Sequence, residues 1–267
     1  VPERFDDFMW ENDKVGFRLY AQALMAKDGP SNGIDLFYKR TNDIVIDKWL
    51  ERDRSGKGSY HKDFGEGLDD YIVGRSLGAG AMAPYAGGKL WLNDNFTSEE
   101  VLENGPLRTT FKLKYKNIDV EGKSIAENRT ISLDAGSQLS KISQAYTIKE
   151  PLQVAAGIAK REKNDSIIAG DNYIVYAEPK NEIVDNVYLG MIFPQGMEKH
   201  VIDTYQVNNK TYTHILGITT QQPKVPVTYY TGFGWSKFGF ETIDSFETYI
   251  KNFAEGLKHP LIIKYEK

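Results

Sequence analysis

Between Tyr60 and Gly74 the chain reads YHKDFGEGLDDYIVG, which sets one imidazole and one ammonium among four carboxylates, two phenols and three glycines. Residues of these types move protons and hold charge, and the glycines allow the backbone to bend around a ligand. His61 is the first candidate proton carrier, because acidic neighbours can orient or tune its ring. A solvated loop histidine is the plain alternative. His214, in KTYTHILGIT, falls within a predicted strand on the same face as Tyr212. It is either a second proton carrier or a satisfied core histidine. Tyr230, just before TGFGW, and Tyr60 are further acid or base candidates, although a chain with 16 tyrosines uses most of them for packing.

Guanidinium forks suit carboxylates. Among Arg18, Arg40, Arg75, Arg108, Arg129 and Arg161, the reading favours Arg75 for its closeness to the histidine stretch and Arg161 for its place in GIAKRE. Trp10 and Trp235 offer flat faces to a sugar ring, and Trp235, between Gly234 and Ser236, is expected to be the more exposed. Glu66, Asp69 and Glu162 are available as the carboxyl pair of a glycoside hydrolase. Asp63, Glu66, Asp69 and Asp70 can offer oxygens to a divalent cation such as calcium, but their spacing is not that of an EF-hand and no metal site is assigned. GRSLGAGAMAP lacks the phosphate-loop pattern, and GxGxxG is absent, so it reads as close packing or a turn and no organic cofactor is expected.

Composition narrows the partners. The formal net charge is -4 with no long run of one sign, which argues against nucleic acid. No apolar run approaches the ~20 residues of a membrane span, so no membrane insertion is expected. The absence of cysteine rules out disulfides, thiolate nucleophiles and Cys-ligated zinc. A start at Val1 fits removal of an export signal, and the expected location is periplasmic or secreted.

To position such residues the chain offers short runs of β-branched and aromatic residues, broken by Gly, Asn, Asp and Pro about every ten residues. Strands are predicted over 15–24, 34–40, 107–115, 124–133, 139–148, 152–162, 172–178, 186–193, 210–219 and 225–233. The fold class is mainly β, a large antiparallel sandwich formed by one domain spanning 1–267. Segment 44–51 is a short helix or a strand. Ser245 is expected to cap a C-terminal helix carrying Phe246, Tyr249, Ile250, Phe253 and Leu257, with Pro260 limiting it and LIIKY forming a last strand.

The stretches ERFDDFMWENDKVGFRLY, YHKDFGEGLDDYIVGRSLGAGAMAPY, GPLRTTFKLKY, RTISLDAGSQLSKI, VAAGIAKRE and YYTGFGWSKFGFET together resemble a secreted bacterial family carried as a domain of unknown function. The resemblance spans nearly the whole chain. Its members accompany polysaccharide lyases and unsaturated glucuronyl hydrolases, and the family is associated with a dehydratase acting on ulvan oligosaccharides. What this implies is a sandwich like that of galactose mutarotases and polysaccharide lyases. The implied substrate is an anionic oligosaccharide, and the implied reaction is elimination of water from a terminal glucuronate or iduronate. In that reaction a base takes the proton alpha to the carboxylate and an acid assists the departing hydroxyl. Lyase, glycoside hydrolase and non-catalytic glycan-binding module are the competing readings.

Overall fold

The structure, a computed structural model, describes residues 6–161, 163–262 and 264. Its largest element is an antiparallel eight-stranded sheet, with strands numbered in chain order. Across the sheet these are β14 (Ser166–Ala169), β15 (Tyr173–Ala177), β16 (Val187–Ile192), β19 (Val227–Trp235), β12 (Leu139–Tyr146), β11 (Glu127–Asp134), β8 (Arg108–Lys114) and β7 (Ser98–Asn104). A five-stranded sheet runs β17 (Lys199–Val207), β18 (Lys210–Gln221), β13 (Leu152–Lys160), β5 (Ala79–Ala86) and β6 (Lys89–Leu90). A four-stranded sheet joins β1 (Phe8–Glu11), β2 (Gly16–Leu19), β3 (Asp35–Lys39) and β4 (Gly67–Leu68), and β9 (Ile118–Val120) pairs with β10 (Lys123–Ile125). The mainly β, antiparallel class predicted from the sequence is what forms, and each of the ten predicted strands overlaps an observed one.

Period-two alternation explains how the layers meet. On β11, residues 127, 129, 131 and 133 are buried while their neighbours face outward. Ile131 and Leu133 pack with Phe111 and Leu113 in one core that also takes Val154, Ala156 and Ile158 of β13 and Met82 of β5. The four-stranded sheet covers the rest of the same face: the Trp10 ring lies 5.1 Å from Phe111, and Phe17 and Tyr38 lie 5.8 and 5.6 Å from Phe233. Small and five-stranded sheets together therefore form the second layer of the sandwich.

Ile34 and Gly78 bridge these two sheets. Gly78 has φ +59, and a Cβ there would lie 2.2 Å from the Ile34 carbonyl oxygen. Only glycine accepts both the left-handed backbone and the approach. Gly78→Ala is expected to cost about 2–4 kcal/mol by urea unfolding; a change within ~0.5 kcal/mol would show that the seam is not rigid.

Three helices accompany the sheets: α1 (Gln22–Asp28), α2 (Ile46–Arg54) and α3 (Ile243–Lys258). Segment 44–51 is helical from Ile46 onward, and the last three residues of predicted strand 15–24 begin α1 instead. On the outer face of the eight-stranded sheet, α3 sets Phe246, Ile250 and Ala254 against Val175, Tyr188 and Ile192. Its cap is Thr242, whose side chain accepts from the Ser245 N–H, so the predicted cap Ser245 is the third residue of a capping box. Leu261 and Ile262 form no strand, while Ile263 and Tyr265 lie outside the described residues. None of the described helices is long and apolar enough to cross a membrane.

Candidate functional site

The histidine stretch connects α2 to β5 and leaves regular structure except at β4, whose Leu68 pairs with Tyr38. Gly67 permits that pairing, since φ is +123 and a Cβ would lie 1.8 Å from the Tyr38 carbonyl oxygen. Two residues on, the buried Asp69 donates its N–H to the Tyr60 carbonyl at 3.0 Å, closing the stretch into a compact loop. His61 stands on the outer side of this loop with its side chain 57% exposed, its ring 4.2 Å from that of Tyr60. Its Nδ1 is 2.8 Å from the Asp69 carbonyl oxygen and 4.0 Å from the Asp69 carboxylate. A carbonyl oxygen can only accept, so Nδ1 carries a proton, and in the neutral ring it is Nε2 that offers the lone pair.

Asp70, the next residue, lines a cleft of about 320 Å³ with Tyr38, Tyr71, Arg161, Glu178 and Lys180. Burial raises the Asp70 carboxyl above the ordinary carboxylate range, and the nearby His61 pulls it down. Burial also raises Glu178, with Arg161 opposing the rise and Asp70 adding to it. Arg161 donates from Nε to Glu178 and from Nη2 to the Ile72 carbonyl, both at 2.8 Å, and its guanidinium lies 4.8 Å from the Tyr71 ring centre. Tyr71 is buried, and its hydroxyl has no hydrogen-bond partner among the described residues. The wall thus combines a carboxyl shifted toward its neutral form, a cation and an uncommitted phenol, with the His61 imidazole near Asp70 but outside the lining.

Arg161, Asp70 and Glu178 accordingly meet at this cleft, while His61 lies outside its lining, close enough to Asp70 to lower that carboxyl. The other predicted site residues lie elsewhere. Arg75 donates to the carbonyls of Asn93 and Leu92 at 2.6 and 2.8 Å, so its fork holds the protein's own loop. His214 has no exposed surface: its Nε2 accepts from the Leu77 N–H at 2.9 Å, and its ring stacks 5.4 Å from Tyr205. It shares a face with Tyr212 as expected, but it serves as a core histidine. Tyr230 packs its ring 5.2 Å from Phe253 of α3, on the opposite side of the eight-stranded sheet from the core. Trp235 is a correction, being 1% exposed, packed with its ring tilted 37° to that of Tyr38 and donating Nε1–H to the Val184 carbonyl. Its neighbour Gly234 is there to admit α3, since a Cβ would lie 2.5 Å from Phe246. Trp10 is buried too, bonded to Ser140 at 3.0 Å.

The acids proposed for calcium are dispersed. Asp63 accepts from Gly65 N–H and pairs with Arg40 at 3.0 Å, Glu66 takes Lys48, and Asp69 takes Arg18. Among the described residues no three metal-ligating side chains cluster. Glu162, the remaining carboxyl suggested for hydrolysis, lies outside the described residues. Tyr71, Glu178 and Lys180 were not singled out from sequence; nothing in YIVYAEPK sets its acid apart from a strand end.

Burial, helped by the charge of Arg161, pushes the His214 imidazole down to about 3. The unfolded chain therefore binds a proton near pH 6.5 that the folded chain refuses, and stability is lost as pH falls from 6.5 toward 3. His214→Gln should flatten this slope in urea titrations between pH 7 and 4; an unchanged slope contradicts the neutral, buried assignment.

The chain is 32% identical over 278 aligned residues to "Uncharacterized protein P7" of Formosa agariphila, covering 100% of this chain and 69% of that protein. Among solved structures it resembles the GH36 alpha-galactosidase AgaA from Geobacillus stearothermophilus, with a TM-score of 0.41, 8% identity, and 86% of this chain against 41% of that one. It also resembles a heparinase III, the BT4657 gene product, with a TM-score of 0.43, 11% identity, and 88% of this chain against 35% of that one. The chain spans less than half the length of these structures. Residues 1–263 match the family described as Domain of unknown function (DUF4861), and the chain belongs to that family.

Proposed function

We propose that this chain is a carbon–oxygen lyase that removes water from a terminal glucuronate or iduronate of an oligosaccharide. His61 Nε2 takes the proton alpha to the sugar carboxylate. The electron pair forms the new double bond, and the hydroxyl on the adjacent carbon leaves as water with a proton from Asp70. Arg161, the Tyr71 hydroxyl and Lys180 face the substrate carboxylate and stabilise the charge that gathers there. The observation that carries the reading is the proximity of two groups: the His61 imidazole, whose Nδ1 meets the Asp69 carbonyl, and the Asp70 carboxyl on the cleft wall, raised by burial and lowered by that imidazole.

A second reading has its own observation. Asp70 and Glu178 are both raised and line the same cleft, as a hydrolytic carboxyl pair would. The two separate on incubation with saturated uronyl oligosaccharides of defined length. Ultraviolet absorbance rising without new reducing ends supports dehydration. New reducing ends without absorbance select hydrolysis, and both together select chain-cleaving elimination. No change in either, across sulfated and unsulfated substrates, would overturn the enzymatic assignment.

A further inference from the structure

We propose that Arg18 is a positioning residue for His61, acting through Asp69, an inference that rests on His61 being the proton carrier. Arg18 on β2 stands opposite Asp35 on β3, so strand register alone brings the pair together. Its Nε and Nη2 reach Asp35 Oδ2 at 2.9 and 2.5 Å, and Tyr20 donates its hydroxyl to the same oxygen at 2.5 Å. The same Nη2 lies 3.1 Å from Asp69 Oδ2. One guanidinium thus ties a carboxylate of the rigid sheet to a carboxylate of the site loop. Both side chains at the loop end of this link are nearly inaccessible, 7% for Arg18 and 2% for Asp69.

The consequence passes through the main chain of Asp69. Its carbonyl accepts from His61 Nδ1 and its N–H donates to Tyr60, so fixing the Asp69 side chain fixes the atom that selects the imidazole tautomer. Planarity and several donors let arginine bridge two carboxylates, whereas a lysine ammonium holds one point with looser direction. Without Arg18, the Asp69 carboxylate, 4.0 Å from Nδ1, loses the contact that aims it away from the ring and competes with the carbonyl, so the Nδ1–H tautomer is no longer fixed.

The test uses the full chain labelled with nitrogen-15 and long-range proton–nitrogen spectra of the neutral imidazole, with His61→Asn identifying the signals. Wild type should show His61 protonated on Nδ1. Arg18→Met should give a mixture with substantial Nε2–H, Arg18→Lys an intermediate state, and Asp69→Asn a shift in the same direction. The kcat of Arg18→Met should fall roughly 10- to 100-fold with KM little changed. Should Arg18→Met fail to fold, Arg18→Lys and Asp69→Asn carry the comparison. Folded variants that keep the wild-type tautomer overturn the proposal. Because the spectrum needs no turnover, a tautomer shift in a protein that dehydrates no uronide would uphold the positioning role and remove the dehydratase reading.

Discussion

His61→Ala should lower kcat on a uronyl oligosaccharide by about 10²- to 10⁴-fold, the range supplied by a positioned general base. The ring is more than half exposed and its polar contact is to a backbone carbonyl, so the fold does not depend on it. Thermal unfolding should therefore match wild type within a few degrees, and KM should change much less than kcat, because the proposed carboxylate contacts come from Arg161, Tyr71 and Lys180. His61→Gln is expected to fare no better, since an amide offers no comparable base. Retained turnover in either variant would remove His61 from the chemistry and leave Asp70 and Glu178 as the remaining pair.

The largest expected loss of stability lies away from the cleft. Arg129→Met should destabilise the protein by about 3–5 kcal/mol, because it strands a buried carboxylate. Arg129 and Glu127 point into the sandwich from β11, each side chain 1% exposed and 2.8 Å apart. Glu127 would retain Gln144 and Asn93, both at 2.9 Å, but no cation among the described residues. Arg129 also donates to the Asn32 side-chain oxygen at 2.6 Å and lies over the Tyr115 ring at 4.4 Å, so bonds to the segment preceding β3 go with it. A domain stable by roughly 5–15 kcal/mol loses a large share of its margin. The double variant Glu127→Met/Arg129→Met should recover part of the loss, because it removes the stranded charge. A single-variant shift below ~1 kcal/mol in urea would mean that water reaches Glu127 in the folded state.

Strands whose alternation runs between an apolar core and solvent were legible in the sequence, as RTISL in β11 illustrates. Where burial on both faces selects small residues the signal vanishes. AGAMAPYA reads as a turn-rich stretch with a proline, yet it forms β5 beside β13. KHVIDTYQV, half exposed along its length, was likewise missed as β17. The loop carrying His61 could be found because proton-carrying types cluster in it. Which charges meet could not, because Arg18, Asp35 and Asp69 converge through strand register and one buried side chain. Arg75 failed as a clamp for a related reason: sequence does not reveal that two backbone carbonyls already occupy its fork. Trp235 failed because a flanking glycine signals close packing as readily as exposure.

The claim that water is eliminated with the chain left intact is met most directly by proton magnetic resonance of the oligosaccharide product. The account predicts a new vinyl proton on the terminal ring, disappearance of the proton alpha to the carboxylate, and an unchanged number of anomeric signals from the remaining residues. A terminal uronate that keeps its alpha proton, or a product with fewer sugar residues, would contradict it.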